Sequence, residues 1–152
     1  MDFVALDLET TGLNPHNDHV IEVAIVRFDE QGKILDEWSS LVKPSVSIPS
    51  FTTRLTGIDN TMVKDAPKLD ELRDTILEKI GNRPIVGHYI FFDVNFLNQK
   101  GFDFGNQQLD TCQLAQVLFP NEPSYSLEVL VKKLKIDQPG AHRALKDRKS
   151  VV

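Results

Sequence analysis

The chain has 152 residues, 41% of them hydrophobic and 26% charged, with a net charge of −5. That is the balance of a water-soluble globular domain, long enough for one sizeable core and short enough to predict a single domain over residues 1–152. No apolar run reaches the ~20 residues of a membrane helix, and the start carries no basic, apolar leader, so the expectation is a cytoplasmic protein with no membrane partner. The lone Cys112 excludes an internal disulfide and reads as a small buried filler. The acidic balance argues against gripping nucleic acid by bulk charge alone, although bound divalent metal would reverse the local field. Seven basic residues between Lys132 and Lys149 fit either a solvated helix face or a phosphate-facing surface.

In chain order, Phe3 to Leu8 and Val20 to Asp29 read as strands. After a turn at Gln31-Gly32, Lys33 to Val42 returns as a third, giving a hairpin and a meander. Pro44 to Pro49 is a loop. Asp70 to Ile80 has helical spacing of Leu72, Ile76, Leu77 and Ile80 and ends at Gly81. Pro84 to Gly87 is a short buried strand, Phe91 to Lys100 a helix, Gln108 to Asp110 a short strand and Thr111 to Leu118 a helix. Ser126 is placed as the N-cap of a helix with Leu127, Leu130, Val131 and Leu134 as its apolar stripe, and a last helix starts near Arg143. Early strands followed by alternating helices predict a mixed α/β sheet covered by helices.

Three segments carry candidate chemistry. In FVALDLETTG, strand alternation puts Phe3, Ala5, Asp7 and Glu9 on one face and Val4, Leu6 and Leu8 on the other. Asp7 and Glu9 then lie roughly 7 Å apart along the strand. They are either solvated acids at a frayed strand end or oxygen ligands for a hard cation such as Mg²⁺ or Mn²⁺. Thr10-Thr11-Gly12 turns the chain there and is expected to offer hydroxyls and exposed N–H groups. In GHYIFFDVNFL, Asp93 stands on a helix between core-facing residues, as a dipole-stabilising acid or as a metal ligand projecting toward the sheet. In AHRALKD, His142 and Asp147 are about 140° apart on one continuous helix and converge only if His142 sits in the preceding loop. A histidine beside carboxylates suits a general base, and a solvated loop histidine is the plainer reading. His16 and His19 read as loop residues and His88 as a structural hydrogen-bonding residue, since none has zinc-like spacing with cysteine.

DLETTG, GHYIFFDVNFL and HRALKD, taken in order, resemble the three sequence blocks of the DEDDh 3′–5′ exonucleases, which include the epsilon proofreading subunit and helicase-associated exonuclease domains. LTGI at 55–58, LDT-x-x-LA at 109–115 and SLEVLVKKLKI at 126–136 are similar to that family's connecting segments. The resemblance implies a ribonuclease-H-like α/β fold with a mixed five-stranded sheet, a three-strand antiparallel meander plus two parallel strands, flanked by helices. It implies hydrolysis of phosphodiester bonds at 3′ ends, of single-stranded DNA or else of RNA, with two Mg²⁺ or Mn²⁺ ions. By the same resemblance Asp7, Glu9, Asp93 and Asp147 would be metal ligands and His142 the base. Thr10, Thr11, Gly12, Leu13, Leu55, Ile58 and Phe92 would meet the substrate. A polymerase, a helicase or a nucleic-acid-integrating complex is the kind of partner implied. The chain departs from the family at Tyr89, where an asparagine is usual, at Lys146 and Arg148, and in a last helix expected to be short and mobile. A catalytically weak module that binds 3′ ends is the alternative these departures suggest.

Overall fold

The structure is a computed structural model in which residues 1–136 are described. Five strands form one sheet in the order β3-β2-β1-β4-β5. β1 (Asp2–Thr10), β2 (Val20–Asp29) and β3 (Ile34–Leu41) make the predicted antiparallel meander. β4 (Ile85–Gly87) and β5 (Gln108–Asp110) add to the other edge in parallel. The helices are α1 (Ser50–Thr56), α2 (Arg73–Ile80), α3 (Ile90–Gln99), α4 (Thr111–Leu118) and α5 (Leu127–Leu134). Among the described residues no helix is long and apolar enough to cross a membrane.

β1 alternates as its sequence requires. Val4, Leu6 and Leu8 enter the main core with Val23, Ile25, Ile76, Ile80, Val94 and Phe96. Ala5 faces the other way, with Val26, Phe28 and Val86. That second face also carries Asp7 and Glu9, so the acids stand where the strand's apolar residues run out. α2 covers the main core through Ile76 and Ile80, while Leu77 is largely exposed. The turn before it, Leu69–Leu72, is 3-10 rather than α-helical, so the predicted helix from Asp70 begins later, at Arg73.

Ser126 is at the N-cap of α5, but its side chain makes no capping bond, and Leu134 of the expected stripe is half exposed. α1 falls in a stretch to which the sequence reading assigned no element. The last helix predicted near Arg143 lies outside the described residues. Lys132 and Lys133, the first of the basic run, pair with Glu128 at 2.6 Å and Glu122 at 2.7 Å.

Candidate active site

β4 pairs with β1 only as far as Ala5. The Val4 amide donates to the Pro84 carbonyl at 3.0 Å, so amides of alternate β1 residues point toward β4. Leu8 has the same orientation but lies past the end of that pairing. Its amide donates instead to Oδ1 of Asp93, at 3.1 Å and buried. Gly87 makes this approach possible. A Cβ there would stand 2.7 Å from Cδ1 of Ile90 and 3.1 Å from the Leu6 carbonyl, so only glycine lets the chain turn from β4 into α3 this close to β1. The sequence thus brings Asp93 beside the strand segment that carries Asp7 and Glu9.

Asp93 is 5% exposed. Burial pushes its carboxyl well above the ordinary range, the Leu8 amide pulls it down in part, and Glu9 and Asp110 push it further up. A buried carboxyl beside another negative charge is the electrostatic setting that a cation relieves. The donor set of Asp7, Glu9 and Asp93 is oxygen only, which fits a hard divalent ion. Among the described residues, no three acidic, histidine or cysteine side chains close on one ion by themselves. Asp147 and His142 lie outside the described residues.

Glu9 stands opposite Glu22 in the β1–β2 register, and Glu22 is 3% exposed. Glu22 is not among the acids that the sequence motifs single out in strand VIEVAIVRFD. Its signal was an acid inside an otherwise apolar run.

The turn after β1 is built differently from expectation. Thr11 spends its polar groups internally. Its amide donates to the His19 carbonyl at 2.8 Å, and its hydroxyl donates to Asp18 Oδ1 at 3.1 Å and accepts from the His19 amide at 3.0 Å. Its carbonyl accepts from the Thr52 hydroxyl at 3.0 Å. Thr11 is 4% exposed, so it shapes the turn and does not present an open N–H. The Thr10 hydroxyl donates to the Gly12 carbonyl at 2.6 Å. Gly12 is required for space, because a Cβ would meet the Asp18 carboxylate at 2.5 Å. Asp18, unmarked by the sequence reading, also accepts from the Asn14 amide at 2.9 Å and so clamps both ends of the turn.

Of the apolar candidates, Leu13 and Leu55 are 83% and 51% exposed and available to a ligand. Phe92 is half-buried against the core, its ring centroid 5.6 Å from that of Phe96. Ile58 is fully buried with Ile21, Ile48 and Val63. Packed there, it cannot touch a nucleotide without repacking. His88 is structural, as its spacing predicts: Nδ1 lies 3.1 Å from the Thr111 hydroxyl, which donates to the Gly87 carbonyl at 3.2 Å. Cys112 is buried. Asp110, also missed, caps α4 by accepting from the Cys112 and Gln113 amides, and it accepts from the Tyr89 amide as well.

Comparison with known proteins agrees with this arrangement. The family model described as Exonuclease, RNase_T, matches residues 4–152. The chain belongs to this exonuclease family, which bears out the resemblance to the DEDDh 3′–5′ exonucleases. It is 38% identical over 150 residues to the DNA polymerase III subunit epsilon of Aquifex aeolicus (strain VF5), covering 95% of this chain and 74% of that one. It is also 38% identical over 153 residues to the DNA polymerase III PolC-type of Caldanaerobacter subterraneus subsp. tengcongensis, covering 98% of this chain but 11% of that one. The chain therefore spans about a tenth of the PolC-type relatives it matches. Among solved structures, Exonuclease X in complex with 5′ overhanging duplex DNA superposes with a TM-score of 0.80 at 29% identity, over 97% of this chain and 85% of that one. E. coli Exonuclease I with a dA16 oligonucleotide also gives 0.80, at 22% identity over 99% of this chain and 39% of that one, a likeness of fold. The fold is the ribonuclease-H-like α/β fold with the mixed five-stranded sheet expected of the family.

Proposed function

We propose that residues 1–152 form one exonuclease domain that removes nucleoside 5′-monophosphates from the 3′ ends of single-stranded DNA, with two divalent ions, Mg²⁺ or Mn²⁺. The observation that carries this reading is the Leu8–Asp93 bond, which sets a buried carboxyl against the strand segment that carries Asp7 and Glu9. Asp7, Glu9, Asp93 and Asp147 would hold the ions. When bound, these supply charge stabilisation to the attacking and leaving oxygens of an in-line displacement at phosphorus. The chain's own residues do the rest. Asp93 is fixed by the Leu8 amide, so its carboxylate is oriented before substrate arrives. His142 would take the proton from the attacking water. The Asp18-clamped turn and the exposed Leu13 and Leu55 would seat the terminal nucleotide.

The names of the relatives favour DNA, and a polymerase assembly as the setting. RNA is separated from DNA by contact with the 2′-hydroxyl. The experiment is digestion of a 5′-labelled single-stranded oligonucleotide with Mn²⁺ or Mg²⁺, with EDTA, and with Asp7→Ala. A one-nucleotide ladder from the 3′ end, abolished by EDTA and by the substitution, is expected. An RNA copy then sets the sugar preference. Cleavage that survives Asp7→Ala would overturn the assignment, and binding of 3′ ends without product would favour the non-catalytic module.

A further inference from the structure

The net charge is −5, so backbone phosphates supply little of the grip on a single strand. Stacking of bases on aromatic side chains is the other sequence-independent source of affinity. Among the exposed aromatic side chains, Phe51 stands on the helix that is bonded to the turn after the candidate acids. α1 is anchored by its inward side, where Thr52 and Thr56 are buried and the Thr52 hydroxyl donates to the Thr11 carbonyl at 3.0 Å. Thr11 belongs to the turn that follows Asp7 and Glu9. One turn of helix separates Phe51 from Leu55, so the two share a side adjoining the anchored one. That side is open: Phe51 is 67% exposed and Leu55 is 51% exposed. An exposed phenylalanine on a helix whose inward positions are threonines gives nothing to the core, and Arg54 beside it is exposed and basic.

We propose that Phe51 is a substrate-binding residue that stacks on the base one nucleotide 5′ of the terminal nucleotide, extending the platform of Leu13 and Leu55. This rests on the exonuclease reading and assigns a second nucleotide subsite to the same site. It has two consequences. An aryl ester of a nucleoside 5′-monophosphate, which carries a single base, lacks the base that Phe51 meets. A strand without a base at that position is bound as if Phe51 were missing.

The test is a cycle of two substitutions, one in the protein and one in the DNA. Wild type, Phe51→Ala and Phe51→Trp are assayed on an eight-nucleotide single strand and on the same strand with an abasic residue second from the 3′ end. On the intact strand Phe51→Ala should raise KM about tenfold, in the range of one lost base stack, with kcat little changed. Phe51→Trp should restore it. On the abasic strand wild type should weaken by a similar factor and Phe51→Ala should weaken no further. Independent losses that multiply would overturn the proposal, as would an unchanged KM in Phe51→Ala. If wild type cleaves neither strand, the exonuclease reading fails. The same cycle read by fluorescence anisotropy with Ca²⁺ then still decides the platform, because coupled losses of binding support it and uncoupled ones refute it.

Discussion

The amide of Leu8 and the carboxylate of Asp93 meet at 3.1 Å across 85 residues of sequence, and this bond takes the place of the next rung of the β1–β4 ladder. It makes Asp93 both a structural acceptor and a candidate ligand. The two roles can be separated. Asp93→Asn keeps an oxygen for the Leu8 amide and removes a charge whose burial is costly. Metal-free stability should be held or rise, while turnover should fall by about 10²-fold or more, the size of one lost preorganised electrostatic group. Asp93→Ala leaves the buried amide without an acceptor and should cost about 1–3 kcal/mol as well. Urea midpoints of the metal-free proteins beside cleavage rates check both. Equal destabilisation by Asn and Ala would show that the bond does not hold the fold.

Gly12 and Asp18 are coupled by space. A methyl group on residue 12 would stand 2.5 Å from one carboxylate oxygen of Asp18 and 2.6 Å from the other. Gly12→Ala should cost about 1–3 kcal/mol by overpacking. Asp18→Ala should cost about as much by leaving the Thr11 hydroxyl and the Asn14 amide without their acceptor. The double variant removes the clash together with the clamp, so its loss should fall short of the sum by ~0.5 kcal/mol or more. Denaturant titrations of the four proteins measure this. Strict additivity would mean that the turn relaxes around the methyl group.

Where apolar periodicity carries the information, the fold is legible in the sequence. β2 and β5 begin and end as predicted, and β1 presents Val4, Leu6 and Leu8 to one core and Asp7 and Glu9 to the other face. Where hydrogen bonds carry it, the fold is not legible. α1 has buried threonines in place of an apolar stripe. Thr52 bonds to Thr11, the Thr56 hydroxyl donates to the Thr52 carbonyl at 2.9 Å, and Pro49 at the N-cap gives no capping signal. The same holds at the site. Acids that interrupt apolar segments, Asp7, Glu9 and Asp93, stand out in the sequence. Asp18 and Asp110 act through backbone amides that only the folded chain brings to them. Ile58 shows the opposite failure: an apolar residue near a site reads equally as a ligand contact and as core, and burial makes it core.

Tyr89, the departure from the family's asparagine, occupies a left-handed backbone conformation with φ 57° at the start of α3. Such a conformation costs a non-glycine residue about 1–2 kcal/mol and is relieved in asparagine. The tyrosine recovers part of this by an edge contact with His88, at 4.8 Å between centroids, of a kind contributing about 0.5–1.5 kcal/mol. The ring is 57% exposed, so the lower end applies. Tyr89→Asn should therefore stabilise the protein by up to about 1 kcal/mol, and the branched side chain of Tyr89→Val should destabilise it by about 1 kcal/mol or more. Thermal or urea unfolding separates these signs. A destabilised Tyr89→Asn would mean that the His88 contact outweighs the backbone cost.

Burial lowers the His88 imidazole below its ordinary range, against the opposing pull of the Tyr125 backbone carbonyl and the Asp110 carboxylate. Nδ1 of the ring lies 3.1 Å from the Thr111 hydroxyl, which itself donates to the Gly87 carbonyl at 3.2 Å. In the unfolded chain the same ring takes up a proton near pH 6.5. As pH falls from about 6.5 toward the lower folded-state value, the unfolded state binds more protons than the native state, so stability drops across that window and levels off below it. His88→Gln keeps a hydrogen-bonding amide beside Thr111 and removes the titration. Its urea midpoint should fall less steeply than that of wild type between pH 6.5 and 5. His19, lowered first by its own burial, is present in both proteins and cancels in the comparison. Parallel curves would assign the acid-linked loss to groups other than His88, with His19 the next to be replaced.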